Sequence, residues 1–185
     1  QDYCKYSPEG HEILSISVPL RFPNGEYVDY DDPSIFGRSK TLKEIVQEIL
    51  QCHADGIHFR EWNAGPNLDS VMLWEGFQVD ITTDWRTGLL QGGNRWNCGT
   101  WMDKMGESEI AGNRGIPTTP RDGSAIEITA LQKSALDWLT SLGNFGFTGI
   151  KRGSAQFVTF AEWAQLLQES FEPESQNPHE LQASG

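Results

Sequence analysis

At 185 residues the chain has about the length of one domain, and 37% hydrophobic residues with seven Trp and nine Phe can supply a core. Lys and Arg number 14 against 26 Asp and Glu, a net charge of -12. Phosphate backbones and anionic lipid repel such a chain, which argues against nucleic acid and membrane surfaces as partners and leaves neutral ligands, sugars among them. No apolar run is long enough to span a membrane, and the opening "QDYCKYSPEG" lacks a signal-peptide pattern. Cys4, Cys52 and Cys98 are odd in number and widely spaced, and no Asn-x-Ser/Thr sequon occurs, so a cytoplasmic location is expected. Gln1 in place of Met leads to the expectation of a piece of a longer protein.

In chain order, "HEILSISVPLRFPNG" reads as a strand followed by a turn, and "EYVDYDDPS" as an acidic loop. "TLKEIVQEILQCHADG" is the clearest helix. Thr41 and Glu44 form a capping box, Leu42, Ile45, Val46, Ile49 and Leu50 share a face, and Gly56 stops it. "FQVDITTDWRTGLLQGG" predicts a hairpin, with Phe77, Val79 and Ile81 alternating and Gly88 in the turn. Residues 92 to 123 have little periodicity. An irregular stretch of ~30 residues is usually functional or disordered, and its two Trp and one Cys argue against disorder. Two further helices follow. The first has a Ser124–Glu127 box and a stripe of Ile128, Leu131, Ala135, Trp138, Leu139 and Leu142. The second has a Thr159–Glu162 box, a stripe of Phe160, Trp163, Leu167 and Phe171, and a stop at Pro173. Residues 1 to 172 form one domain on this reading, and 173 to 185 a polar, disordered tail.

Most familiar chemical signals are missing. "GGNRWNCG" lacks the Lys-Ser/Thr pair of a phosphate loop, and His53 and His58 have no HExxH context, so neither a metal nor a cofactor is expected. Ser124 reads as a helix cap rather than a nucleophile, and Cys98 as a buried thiol without a nearby His. Trp74, Trp85, Trp138 and Trp163 read as core or partly exposed aromatics. Trp96 and Trp101 stand apart, because they sit in a polar loop where indoles can stack on a pyranose while Arg95 and Asn97 bond its hydroxyls.

"GGNRWNCGTWMDKMGES" and "NRGIPTTPRDGSAIEI" resemble the C-terminal amylo-1,6-glucosidase region of eukaryotic glycogen debranching enzyme. "DDPSIFGRSKT", "GIHFREWNAGP" and "EGFQVDI" resemble it too, in the same order, so the likeness covers roughly residues 3 to 172. It departs at Trp62, where Arg is expected, at Trp96, where Phe is expected, and at a shortened "SLGNFGFTGIKRGSAQ". The resemblance implies a mainly α chain, an incomplete part of an (α/α)6 toroid with a small hairpin or strand component. It implies inverting hydrolysis of single α-1,6-linked glucose stubs on glycogen or limit dextrin during glycogen breakdown. The 4-α-glucanotransferase site of such enzymes lies far upstream, and the rest of the debranching enzyme chain is the implied partner. Asp103, in the Trp-Met-Asp triplet, is implied as the general acid, and Asp122 and Glu127 as substrate contacts; Trp101, Trp96, Arg95, Asn97 and Lys104 are the contacts expected from the residues of the loop themselves.

The residues themselves allow that role. A carboxyl against Trp101 and Met102 is desolvated towards its proton-bearing form, while Lys104 would oppose this. The competing reading is that Asp103 caps a short helix starting near Lys104. Glu107, four residues on, would share one helical face with Asp103 about 5–6 Å away, too near for the ~6.5–9.5 Å of an inverting pair. The family's base is implied beyond residue 185, so the chain alone is expected to be inactive. The alternatives are a non-catalytic carbohydrate-binding segment and a structural segment without a complete site.

Overall fold

The computed structural model describes residues 8–20, 29, 31–61, 64–67, 69–97, 104–118 and 122–171. The chain divides into two compact units, residues 1–51 and 52–185.

In the first unit, Pro8–Ser15 forms a 3-10 turn rather than the start of the expected strand, and only Ser17–Pro19 (β1) is extended. Proline's fixed φ and missing N–H suit it to open such a turn. β1 pairs antiparallel with β2 (Ser39–Thr41), from Ser17 opposite Thr41 to Pro19 opposite Ser39. Within the acidic loop, Asp32 caps a second 3-10 turn, Pro33–Gly37, by accepting from Ser34 N at 2.8 Å. That backbone hydrogen bond holds the Asp32 carboxyl below its ordinary range. Helix α1 (Leu42–Asp55) begins on the expected box: Thr41 N donates to Glu44 Oε2 at 2.7 Å, and Glu44 N to Thr41 Oγ1 at 3.2 Å. Lys40 pairs with Glu48 beside it. The last residues of α1 belong to the second unit.

The second unit starts with β3 (Ile57–Arg60), β4 (Gln78–Asp84) and β5 (Leu89–Gly92), an antiparallel sheet in that order. The β4–β5 hairpin matches its sequence reading. β3 comes from a stretch with no strand expectation and pairs Ile57 with Ile81 and Arg60 with Gln78. Helices α2 (Ile126–Ser141) and α3 (Phe160–Phe171) then flank a hairpin of β6 (Gly149–Arg152) and β7 (Gln156–Thr159).

The core of this unit lies between α2, α3 and that hairpin, where Leu136, Leu139, Phe147, Ile150, Phe160, Trp163 and Leu167 are all buried. The tip of the β4–β5 hairpin is tied into it. The Gly88 carbonyl accepts from Trp163 Nε1 at 2.8 Å and from Gln132 Nε2 at 2.7 Å, and Leu90 N donates to Gln132 Oε1 at 3.3 Å. A buried carbonyl with two donors leaves no unsatisfied lone pair, which is what permits a polar Gln132 inside.

α3 follows its sequence reading at the N-terminus: Thr159 N donates to Glu162 Oε2 at 2.7 Å and Glu162 N to Thr159 Oγ1 at 3.1 Å. Of its stripe, Phe160, Trp163 and Leu167 are buried while Phe171 is half-exposed. α2 departs twice. Its N-cap is Ala125, one residue after the expected Ser124, so no Ser124–Glu127 box starts it. Its buried face runs through Thr129, Gln132, Leu136 and Leu139, about one residue round from the apolar stripe, leaving Leu131 67% exposed.

The expected fold class is corrected by this architecture. The described residues hold three α-helices and seven strands in three small antiparallel sheets, so the chain is mixed α and β rather than mainly α, and it is not a portion of a helical toroid. The physical reason lies between the helices: residues 57–60, with no strong strand signal, pair with β4 some way along the chain, and residues 149–152 and 156–159 fold back on each other as a hairpin. No helix among the described residues is long and apolar enough to cross a membrane.

Candidate functional site

Residues 92 to 123 are irregular in sequence but closed by specific hydrogen bonds. At the neck, Gly92 N donates to Gly123 O at 3.0 Å and Gly123 N to Gly92 O at 2.9 Å. Further along, Met105 faces Pro117 across a second antiparallel bridge. It is flanked by Gly106 N to Ile116 O at 2.9 Å, Gly115 N to Gly106 O at 2.9 Å and Thr118 N to Lys104 O at 2.8 Å. The turn between these arms is tied by Ser108 N to Asn113 Oδ1 at 3.0 Å and by the Arg114–Glu109 pair at 2.7 Å. Gly106 is required by close approach, since a Cβ there would lie 2.2 Å from Asn113 O.

Two asparagines fasten the early arm. Asn94 accepts from Trp96 N at 2.8 Å, an Asx turn, and donates to Glu75 O at 3.0 Å. Asn97 Nδ2 donates to Gly76 O at 2.6 Å. The arm runs so close to the 3-10 turn Trp74–Phe77 that a Cβ on Gly76 would meet Trp96 O at 2.5 Å.

A cavity of about 330 Å³ opens beside the neck. The β3–β4–β5 sheet supplies Val79, Ile81 and Leu90, the neck supplies Gly92 and Gly123, the start of α2 supplies Ala125 and Ile128, and Glu61 and Asn97 add polar groups. All its lining residues belong to the second unit. Asp80, also in the wall, is paired with His58 across β3 and β4 at 2.5 Å.

Among the described residues expected to contact substrate, Asn97 lines this cavity, and its amide N–H is spent on the backbone, so it shapes the wall. Arg95 is exposed, with its guanidinium 4.3 Å from the Trp96 ring centroid. One face of that indole is therefore taken by a cation rather than open to a sugar. Asp122 is exposed immediately before the neck, and Glu127 is half-buried in the first turn of α2; neither lines the cavity. Lys104 is exposed. Asp103, Trp101 and Cys98 lie outside the described residues, as does Trp62.

The structure does remove one alternative for Asp103. No helix starts near Lys104, because Met105 is held in a bridge and the residues after it are not helical, so there is no helix there to cap. The i,i+4 helical spacing assumed for Glu107 fails for the same reason. Glu61 follows β3, between Arg60 and Trp62 in the family-like stretch GIHFREWNAGP, and is not among the site residues expected from sequence, because a single carboxylate after a strand carries no chemical signature of its own. Among the described residues no group of three or more His, Cys, Asp or Glu is placed to hold a metal.

A largely apolar cavity wall that carries the carboxylates of Glu61 and Asp80 thus stands next to a loop closed by hydrogen bonds, the concave setting of a small-ligand site. The chain belongs to the amylo-alpha-1,6-glucosidase family, whose family model matches residues 1–183. It is 54% identical over 176 residues to the glycogen debranching enzyme of Saccharomyces cerevisiae (strain ATCC 204508 / S288c), a match covering 93% of this chain. The same match covers 12% of that relative, so the chain spans a small part of its length.

Proposed function

We propose that this chain supplies the acid-bearing part of a glucosidase that hydrolyses single α-1,6-linked glucose stubs on glycogen limit dextrin, with Asp103 as the general acid. The observation that carries the reading is the loop from 92 to 123. It bears the Trp-Met-Asp triplet, is closed at Gly92 and Gly123, and borders the cavity through Asn97 and Gly123. Asn97, before the triplet, and Lys104, after it, are each held by hydrogen bonds, to Gly76 O and from Thr118 N, and general acid catalysis requires a positioned donor. Membership of the amylo-alpha-1,6-glucosidase family supports the substrate.

In this mechanism Asp103 gives its proton to the glycosidic oxygen as the bond to the anomeric carbon lengthens. A water on the opposite face of the ring, activated by a second carboxylate, completes an inverting displacement. The test uses the full-length protein that carries these residues. Asp103→Asn keeps the shape and removes the donor, and release of glucose from limit dextrin is expected to fall by at least ~10²-fold. Proton NMR in the first minutes of the wild-type reaction is expected to show β-glucose. Near-normal release by the variant removes Asp103 from the mechanism, and initial α-glucose means retention.

A further inference from the structure

We infer that the cavity beside the loop neck is a saccharide subsite and that Glu61 is the residue in it that accepts a sugar hydroxyl. The inference rests on the glucosidase reading and extends it to a residue outside the loop. At about 330 Å³ the cavity lies at the small end of the ~300–1,000 Å³ range of ligand pockets, a size for one or two sugar rings rather than a long chain. Val79, Ile81, Leu90 and Ile128 give it the apolar surface that the C–H faces of a pyranose need.

Its two carboxylates are differently occupied. Asp80 is committed to His58. The Glu61 carboxylate has no hydrogen-bond or ionic partner among the described residues, although its neighbour is a cation. That neighbour, Arg60, is engaged elsewhere: Nη1 donates to Trp74 O and Nη2 to Ala64 O, both at 3.3 Å, and the guanidinium lies 3.3 Å from the Trp74 ring centroid. The main chain of Glu61 is meanwhile held on both sides, by Glu61 N to Phe77 O at 3.0 Å and Ala64 N to Glu61 O at 3.2 Å. A half-buried carboxyl acceptor on a fixed backbone suits a ligand that brings only hydroxyl donors and no negative charge.

Equilibrium binding of isomaltose, and of a panel of its monodeoxy analogues, to the full-length protein tests this. Glu61→Gln keeps the size and loses the charge. It should weaken isomaltose about tenfold, the scale of a charge-assisted hydrogen bond. One deoxy analogue should bind wild type and variant alike, because it lacks the hydroxyl that Glu61 accepts. Ala125→Leu fills the cavity from the start of α2 and should weaken every analogue. Equal isomaltose affinity in wild type and Glu61→Gln overturns the assignment, as does an equal loss across the whole panel, which marks a structural role. If Glu61→Gln fails to fold, unchanged binding by Ala125→Leu overturns the subsite, and loss of binding supports it. Glucose release by the wild type is followed in parallel. Binding through Glu61 without any release refutes the glucosidase reading alone, and release indifferent to both substitutions refutes this inference alone.

Discussion

The α2–α3 core and the loop from 92 to 123 share one unit but keep their shapes by opposite means. The core is held by apolar area, with Trp163, Leu136 and Leu139 essentially out of solvent. The described residues of the loop bury few apolar side chains and are held by paired backbone hydrogen bonds and by glycines where the chain touches itself. Burial is additive and non-directional, so a core defect lowers global stability; a hydrogen-bonded clamp is geometric, so a defect there displaces atoms without unfolding much. Damage to the two regions should therefore be read by different instruments.

The largest effect is expected in the core. Trp163→Ala empties a fully buried site and removes one of the two donors to Gly88 O, and should cost about 3–5 kcal/mol in denaturant unfolding. A loss below about 1 kcal/mol would show the two regions to be held alike. Gly106→Ala is the matching break in the loop. The new Cβ cannot stand 2.2 Å from Asn113 O, so the arm after residue 103 must shift. Glucose release should fall by up to ~10²-fold, the effect of about 1 Å of misplacement, while the thermal midpoint changes little. The reverse outcome, a large drop in midpoint with activity intact, would break the contrast.

Asn97→Ala leaves the Gly76 carbonyl without its side-chain donor. A local loss of about 0.5–1.5 kcal/mol is expected, read as faster hydrogen exchange across 94–97 and not as a shift of the global transition.

The smallest effect is at an exposed helix start. Glu162 is held below its ordinary 4.5 by the backbone hydrogen bond from Thr159, with the Thr159 hydroxyl adding to it. A depressed folded value means that the contribution is present above pH 4.5 and lost as pH falls through the lower folded value. Glu162→Gln should therefore show a shallower drop in thermal midpoint between pH 5 and pH 2, on the order of the range over which such carboxylates titrate. Parallel curves for wild type and variant would remove Glu162 from the acid sensitivity of the core.

The two helix starts with Thr and Glu three apart were legible because a capping box is local: both partners lie within one turn. The β4–β5 hairpin was legible for the same reason. The face of α2 was not. Periodicity selects the greasiest stripe, but Gln132 is drawn inside by Gly88, a residue 44 positions away in sequence, and Leu131 is turned out.

The sequence by itself determined the helices α1 and α3, the hairpin, the acidic character and the family, through the residues of the Trp-Met-Asp loop. Only the tertiary structure decided that the chain is mixed α and β, that Gly92 and Gly123 close the loop, that Arg95 covers a face of Trp96, and that Glu61 lines the cavity. Caps and hairpins are fixed by neighbours a few residues apart, whereas strand pairing, a cavity wall and the occupancy of an aromatic face depend on partners that composition and spacing do not name.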